Sequence, residues 1–441
     1  MMIQELSQKN ALSKQFAQDY RHCFALNRNS AGFSQTNKEL TYTLVSDRMQ
    51  GAYVEDIDGE RYIDLTMGFG SILFGHDYAP VREAITAQLR NSWSVGPISP
   101  LAGELAREIC ATTGVERVAF FNSGTEAVMV AMRMAKAITK KKYIVFFKGA
   151  YHGTFDPLLT IRNDPESKLA LEAVPGVTQS ILNESFLLEY GTAASLEFIR
   201  AHHEDIAGVL TEPVQSRNPA LQPREYLREL RQITREHNIA LIFDEVITGF
   251  RIALGGCQEY FGVQADIVTY GKVIGGGLPI GIVAGKAAFL DSLDGGYWKF
   301  GDDSAPPVKM TFVAGTFCHH PLAMAASLKI LEILRKEDGR ILRDLNRTTD
   351  EFCSRMNTFF RAEGLRLEIV HFGSLFRFLT PGRHRAIYPQ LLLNGVYIWE
   401  GRNCFLSTAH DASTLNLLEE KIKLSCRQLV EQGIITPKNR G

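Results

Sequence analysis

Between about residues 115 and 285 the chain alternates two kinds of pattern. Short, nearly continuous apolar runs ("RVAFF", "YIVFF", "IAGVL", "IALIF", "ADIVTY") are separated by longer stretches such as "TAASLEFIRAHH" and "REYLRELRQITREHN". The short runs predict strands buried on both faces, and the helical periodicity of the longer ones predicts amphipathic helices. Strand and helix in alternation predict a mainly parallel sheet covered by helices. Outside this block the pattern changes. Residues 1–40 read as a helix and an arm, and "YVEDIDGERYIDL" at 53–65 as a hairpin around an Asp-Gly turn. "VREAITAQLR" and "LAGELAREICATTG" read as amphipathic helices. After about 317 helices dominate, one near 341–362 and a last one over roughly 412–432. "LRLEIVHFGSLFRFL" and "NGVYIWEGRNCFLSTAH" read as strands of a smaller α+β unit. The expected organisation is an α/β chain with an arm and part of a small domain in 1–84, a large domain in 85–330 and the rest of the small domain in 331–441.

Composition narrows the function classes. A chain of 441 residues is long for one core and fits two domains. Lys+Arg 48 against Asp+Glu 49 leaves a formal net charge of −1, so the bulk charge points to neither nucleic acid nor an anionic membrane. No stretch approaches the roughly 20 apolar residues of a membrane span, and "MMIQELSQKNALSKQFAQDY" lacks the apolar core of a secretory signal. Seven scattered cysteines, without a CxxC or a histidine at metal-ligand spacing, predict reduced thiols in the cytoplasm and no metal site.

Ligands of open parallel sheets bind beyond the carboxyl ends of the strands. There "RVAFF" runs into "NSGTEA", where Asn122 and Ser123 can cap a helix and Gly124 permits close approach. The free N–H groups of such a helix start can hold a phosphate. "IAGVLTEP" ends on Glu212, "IALIFDE" on Asp244 and "ADIVTYGK" on Lys272. Each alone has a plain structural reading: a cap, a strand-end acid, a lysine in a turn. Together, a phosphate-ready helix end, an acid and an amine on one edge meet the needs of pyridoxal phosphate. Its phosphate wants a helix N-terminus, its aldehyde a lysine for a Schiff base, and its pyridine nitrogen a carboxylate partner. "GAYHGTFD", 149–156, offers Tyr151 as a ring to stack on the pyridine, with His152 beside it. The plain reading of that pair is a packed loop aromatic and a surface histidine. Nucleotide and hydrolase motifs (G-x-x-x-x-G-K-[ST], G-x-S-x-G) are absent, and "GFGSILFG" at 68–75 lacks the G-x-G-x-x-G spacing.

In chain order, "FFNSGTEAVMVAMRMAK", "GAYHGTFD", "LTEPVQ", "LIFDEVITGFR", "YFGVQADIVTYGKVIGGGLPIG" and "AGTFCHHPLAMAA" resemble class III pyridoxal-phosphate aminotransferases, from about 50 to 430. The resemblance implies a fold-type I transferase, with a large mainly parallel sheet domain and a small α+β domain. Among class III enzymes the sequence is similar to glutamate-1-semialdehyde aminomutases. "NSAGF", "TMGFG", "FGDDS", "GTFCHHPLAMAAS" and "GVYIWEG" resemble aminotransferase domains of hybrid polyketide–peptide synthases. By this resemblance Lys272 is the Schiff-base lysine and Asp244 the partner of the pyridine nitrogen. Val246 and Tyr151 take the two ring faces, with His152 in the same cofactor set. Ser123, Gly124 and Thr125 hold the phosphate, and Glu212 sits near the cofactor oxygen, with Gln215 nearby. The site lies at a homodimer interface, where Thr316 reaches the neighbouring subunit's phosphate. Two segments depart from the aminomutase pattern: "AGTFCHHP", and "IWEGRN" at 398–403. Arg28, Glu400 and Arg402 are candidate substrate contacts, the arginines as carboxylate clamps or as plain surface residues.

The expected activity is amino transfer in two half-reactions, from a small amino-acid donor to a keto or aldehyde acceptor. The synthase-domain likeness extends the acceptor to a β-ketoacyl intermediate on an acyl carrier protein, in secondary metabolism. Two alternatives stay open: a glutamate-1-semialdehyde 2,1-aminomutase, and a non-enzymatic pyridoxal-phosphate-binding regulator.

Overall fold

The structure, a computed structural model, describes residues 2–30, 33–163, 168 and 170–437, so Ala31 and Gly32 of the "NSAGF" segment lie outside the described residues. The chain forms two compact units, Met1–Ala79 with Arg347–Gly441, and Pro80–Asn346. The larger unit runs on past residue 330 because the helix Pro321–Arg335 packs against the helix Pro100–Thr113 of the same unit. The division therefore falls inside the helix Arg340–Ala362.

The larger unit is built on a seven-stranded sheet. Its strands are β1 (Arg117–Phe121), β2 (Tyr143–Phe147), β3 (Ser185–Leu188), β4 (Ile206–Thr211), β5 (Ala240–Asp244), β6 (Ile267–Gly271) and β7 (Gly281–Gly285). Their order across the sheet is β1-β7-β6-β5-β4-β2-β3. β3-β2-β4-β5-β6 pair in parallel, while β7 runs antiparallel to both β6 and β1. All residues of β4, β5, β6 and β7 are buried, which is why these runs are apolar throughout rather than alternating.

The helix Gly124–Thr139 packs Val130, Ala131, Met134 and Ala135 into the core that holds Ile242 and Ile267. Its start is specified locally. Ser123 Oγ accepts from the Glu126 amide at 3.2 Å, and the Glu126 carboxylate accepts from the Asn122 amide at 2.7 Å. The first bond satisfies a donor that the helix leaves free, and the second ties the chain before the cap to the first turn. The helix Arg224–Glu236 buries Tyr226, Leu227, Leu230, Ile233 and Thr234, the single stripe that its periodicity predicts.

The smaller unit carries a four-stranded sheet (Ser46–Gln50, Tyr53–Asp56, Arg61–Asp64, Val396–Tyr397) and a three-stranded one (Glu368–Phe372, Leu375–Leu379, Cys404–Phe405). The two strands of "NGVYIWEGRNCF" thus join different sheets. "TMGFG" forms a left-handed turn, with positive φ at Met67, Gly68, Phe69 and Gly70. Such a run is unfavourable at non-glycine positions by about 1–2 kcal/mol each. Asp64 offsets it: Oδ1 accepts from the Thr66 amide, the Thr66 hydroxyl and the Met67 amide, and Oδ2 pairs with His76 at 2.8 Å. No helix among the described residues is long and apolar enough to cross a membrane.

Candidate active site

The edge where β4, β5 and β6 end encloses a cavity of ≈ 210 Å³. Gly124, Thr125, Tyr151, His152, Glu212, Asp244, Val246 and Lys272 line it, together with Val128, Gly153, Ile247 and Ile280. Asp244 closes β5 and Lys272 follows the last residue of β6, so the parallel pairing carries acid and amine to one end of the sheet. A larger cavity of ≈ 360 Å³ runs along β1 between Ile98 and Leu290. It contains no lysine, and its Arg117 and Asp294 pair with each other at 2.5 and 2.9 Å.

The Asp244 carboxylate is buried and held from several directions. Oδ1 accepts from the Thr269 hydroxyl at 3.0 Å and the Val246 amide at 3.1 Å; Oδ2 meets His152 Nδ1 at 2.7 Å. His152 is therefore not a surface histidine. It is 4 % exposed, and its Nε2 is buried without a protein partner among the described residues. Glu245, the next residue, points away from Asp244, as strand alternation requires. Its carboxylate accepts from the Cys257 and Gln258 amides at the start of the short helix Gly256–Phe261, and burial pushes its carboxyl up to about 8. Of the two acids that end "LIFDE", one belongs to the cavity and one caps a helix.

Lys272 sits at φ 47°, in the left-handed region. A non-glycine residue held there costs of order 1–3 kcal/mol, and such strain clusters at functional sites. Burial pushes its amine below the ordinary lysine range; the buried Arg251 adds to this, and Asp244 and Glu212 oppose it. Glu212 shifts upward, first through burial and then through the charge of Asp244. Its two oxygens accept from the Tyr151 amide at 3.0 Å and the Ser216 amide at 3.2 Å. Val246 fits against the helix start because residue 124 is glycine: a Cβ there would lie 2.9 Å from Val246 Cγ1.

Three expected cofactor residues do not line this cavity. The Ser123 hydroxyl is taken up by the helix cap, Gln215 Nε2 donates to the Lys148 carbonyl at 2.8 Å, and Thr316 is exposed in the loop before Pro321. The three candidate substrate residues belong to the other compact unit. There Glu400 pairs with Arg385 at 2.6 and 2.8 Å. Arg28 lies over the rings of Phe69 and Trp399, 4.8 Å from each centroid, and Arg402 is exposed. Sequence reasoning missed Thr269. The parallel register pairs it with Asp244, so an explicit alignment of "IALIFD" beside "ADIVTYG" would have found it.

The donor set fits pyridoxal phosphate. A helix N-terminus, an oriented carboxylate, a desolvated amine and apolar walls line one enclosed space, and the buried Nε2 of His152 awaits a polar partner. The class III aminotransferase family model matches residues 34–412. The chain is a class III aminotransferase. The aminotransferase is 38% identical to the glutamate-1-semialdehyde 2,1-aminomutase of Sulfolobus acidocaldarius over 408 residues, 88% of this chain and 94% of that protein. It is 32% identical to the enzyme of the same name from Hyperthermus butylicus over 410 residues, 88% and 92% of the two chains. A solved transaminase with pyridoxal phosphate bound superposes with a TM-score of 0.83 at 27% identity, covering 97% of this chain and 99% of the other. The aminotransferase is thus a fold-type I enzyme whose cofactor is pyridoxal phosphate.

Proposed function

We propose that this aminotransferase acts as a glutamate-1-semialdehyde 2,1-aminomutase, moving the amino group between neighbouring carbons of one molecule. The observation that carries this reading is the 38% identity to an aminomutase along 94% of that enzyme's length. It reverses the order suggested by the sequence, in which transfer between two molecules came first.

Pyridoxal phosphate, held by Gly124, Thr125, Asp244 and Lys272, supplies an electron sink and a carrier for nitrogen. The rest is done by the chain. Asp244 stays oriented by Thr269, His152 and Val246, so it meets a ring N–H without reorganising. Burial favours the neutral amine of Lys272, which makes Nζ a nucleophile and a carrier of the substrate's carbon-bound proton. Tyr151 and Val246 line the space with apolar surface.

The experiment supplies glutamate-1-semialdehyde alone to the holoenzyme and measures 5-aminolevulinate. Turnover without a second substrate is the expected result. Turnover only with a separate amino donor and a keto or aldehyde acceptor overturns it in favour of the second reading. That reading is favoured by the departures "AGTFCHHP" and "IWEGRN", and it includes an acceptor on an acyl carrier protein. In either case the proposal includes a homodimer in which Thr316 approaches the phosphate of a neighbouring copy. Exposed apolar side chains on both sides of Thr316 support it, with Phe312 at 80 % and Phe317 at 58 % exposure. A fully active monomer in a sizing experiment would count against it.

A further inference from the structure

Arg217 lies over the ring of Tyr151, its guanidinium carbon 5.4 Å from the centroid, and Tyr151 lines the catalytic cavity. Tyr151 is 44 % exposed and the arginine is exposed beside it. Arg217 has no carboxylate partner among the described residues. A cation–π contact of this kind uses the charge of the guanidinium and does not occupy its N–H donors with an acceptor.

The pair is also rigidly presented. One oxygen of Glu212 accepts from the Tyr151 amide and the other from the Ser216 amide, one residue before Arg217. A single buried carboxylate therefore ties the backbone under the ring to the backbone under the guanidinium. The loop is closed again by Asn218 N to Gln215 O at 2.8 Å, Gln215 Nε2 to Lys148 O at 2.8 Å and Tyr190 Oη to Pro213 O at 2.8 Å. A fixed backbone removes one part of the ordering cost when the guanidinium fork binds a planar anion.

We propose that Arg217 is a specificity-determining residue that recognises an oxyanion of the substrate where it passes Tyr151. The inference rests on the functional reading above. Both of its versions supply such a group: the carboxylate of an amino-acid-like substrate, or the phosphate of a carrier arm.

Equilibrium binding to the holoenzyme tests it without turnover, using two matched pairs, glutarate against its diamide and phosphopantetheine against pantetheine. The wild type prefers the charged member of one pair, and the pair that shows the preference identifies the source of the anion. Arg217→Gln reduces that preference by roughly ten- to a hundredfold, the size of a charge-assisted pair. Arg217→Lys, which keeps the charge but loses the fork and the stacking, retains part of it. No preference in the wild type, or one that survives in Arg217→Gln, overturns the proposal. Loss of 5-aminolevulinate formation with the preference intact would instead strike the functional reading and leave the anion site standing.

Discussion

An alanine at 281 tests whether the helix start proposed to hold the phosphate is set by a glycine in a neighbouring strand. A Cβ on Gly281 would lie 1.9 Å from the Ser123 carbonyl oxygen and 2.4 Å from its carbonyl carbon. The first distance is about 1.5 Å short of ordinary contact. Neither side can yield alone. Gly281 is held in β7 between Phe121 of β1 and Gly271 of β6, and Ser123 is the N-cap of the helix Gly124–Thr139. Relief must move the helix start relative to the sheet. Overpacking of this kind together with a disturbed cap costs about 2–4 kcal/mol. A displacement of about 1 Å in the groups that position a reacting centre costs about 10²-fold in turnover. Gly281→Ala is therefore expected to lower the melting temperature, weaken cofactor retention on dialysis and reduce kcat about a hundredfold. Gly103→Ala is the control, since a Cβ there meets nothing within 4 Å. It lies within the helix Pro100–Thr113, where alanine stabilises by up to about 1 kcal/mol. If Gly281→Ala retained wild-type cofactor affinity and melting temperature, the coupling of β7 to the phosphate end would be refuted.

Borohydride treatment followed by mass spectrometry should attach the cofactor to Lys272 in the wild type and to nothing in Lys272→Ala; an adduct on another lysine would displace Lys272 from its role. Asp244→Ala deprives Thr269, His152 and the Val246 amide of their acceptor, so it should cost about 1–3 kcal/mol and abolish most turnover. Near-normal rates would make that acid merely structural. Glu245 carries a pH prediction. Its carboxyl is raised by burial from 4.5 to about 8, so the folded state holds the proton more tightly than the unfolded chain. The stability it contributes is complete below about 4.5 and is lost as pH rises through about 8. The loss amounts to about 5 kcal/mol. Urea unfolding at acid, neutral and alkaline pH should show Glu245→Gln losing this slope, and identical slopes in both proteins would contradict it.

Much of the candidate site was legible because its residues end strands, and strands announce themselves by local pattern. "IALIFD" and "ADIVTYGK" carry Asp244 and Lys272 to one edge as soon as the sheet is taken as parallel, and "NSGTEA" is a capping pattern that needs no tertiary context. His152 was harder. It occupies a loop, its partner lies 92 positions away, and nothing nearby distinguishes a buried imidazole from a surface one. Glu400 shows a different limit: next to Arg402 it reads as a substrate contact, and nothing local reveals that Arg385 pairs with it. Antiparallel β7 was also not legible, because a buried apolar run reads the same in either direction.

The sequence by itself determined the kind and order of the main elements, the position of the capped helix start and which lysine and which acid stand as candidates at the strand ends. Those signals are short-range: periodicity, turn chemistry and strand ends. Only the tertiary structure decided which strand tips are neighbours, that Asp244 faces the cavity while Glu245 caps a helix, and that Glu212 joins the backbone of Tyr151 to that of Ser216. Those outcomes depend on sheet register and burial, which are set by residues far apart in the chain competing to leave water together.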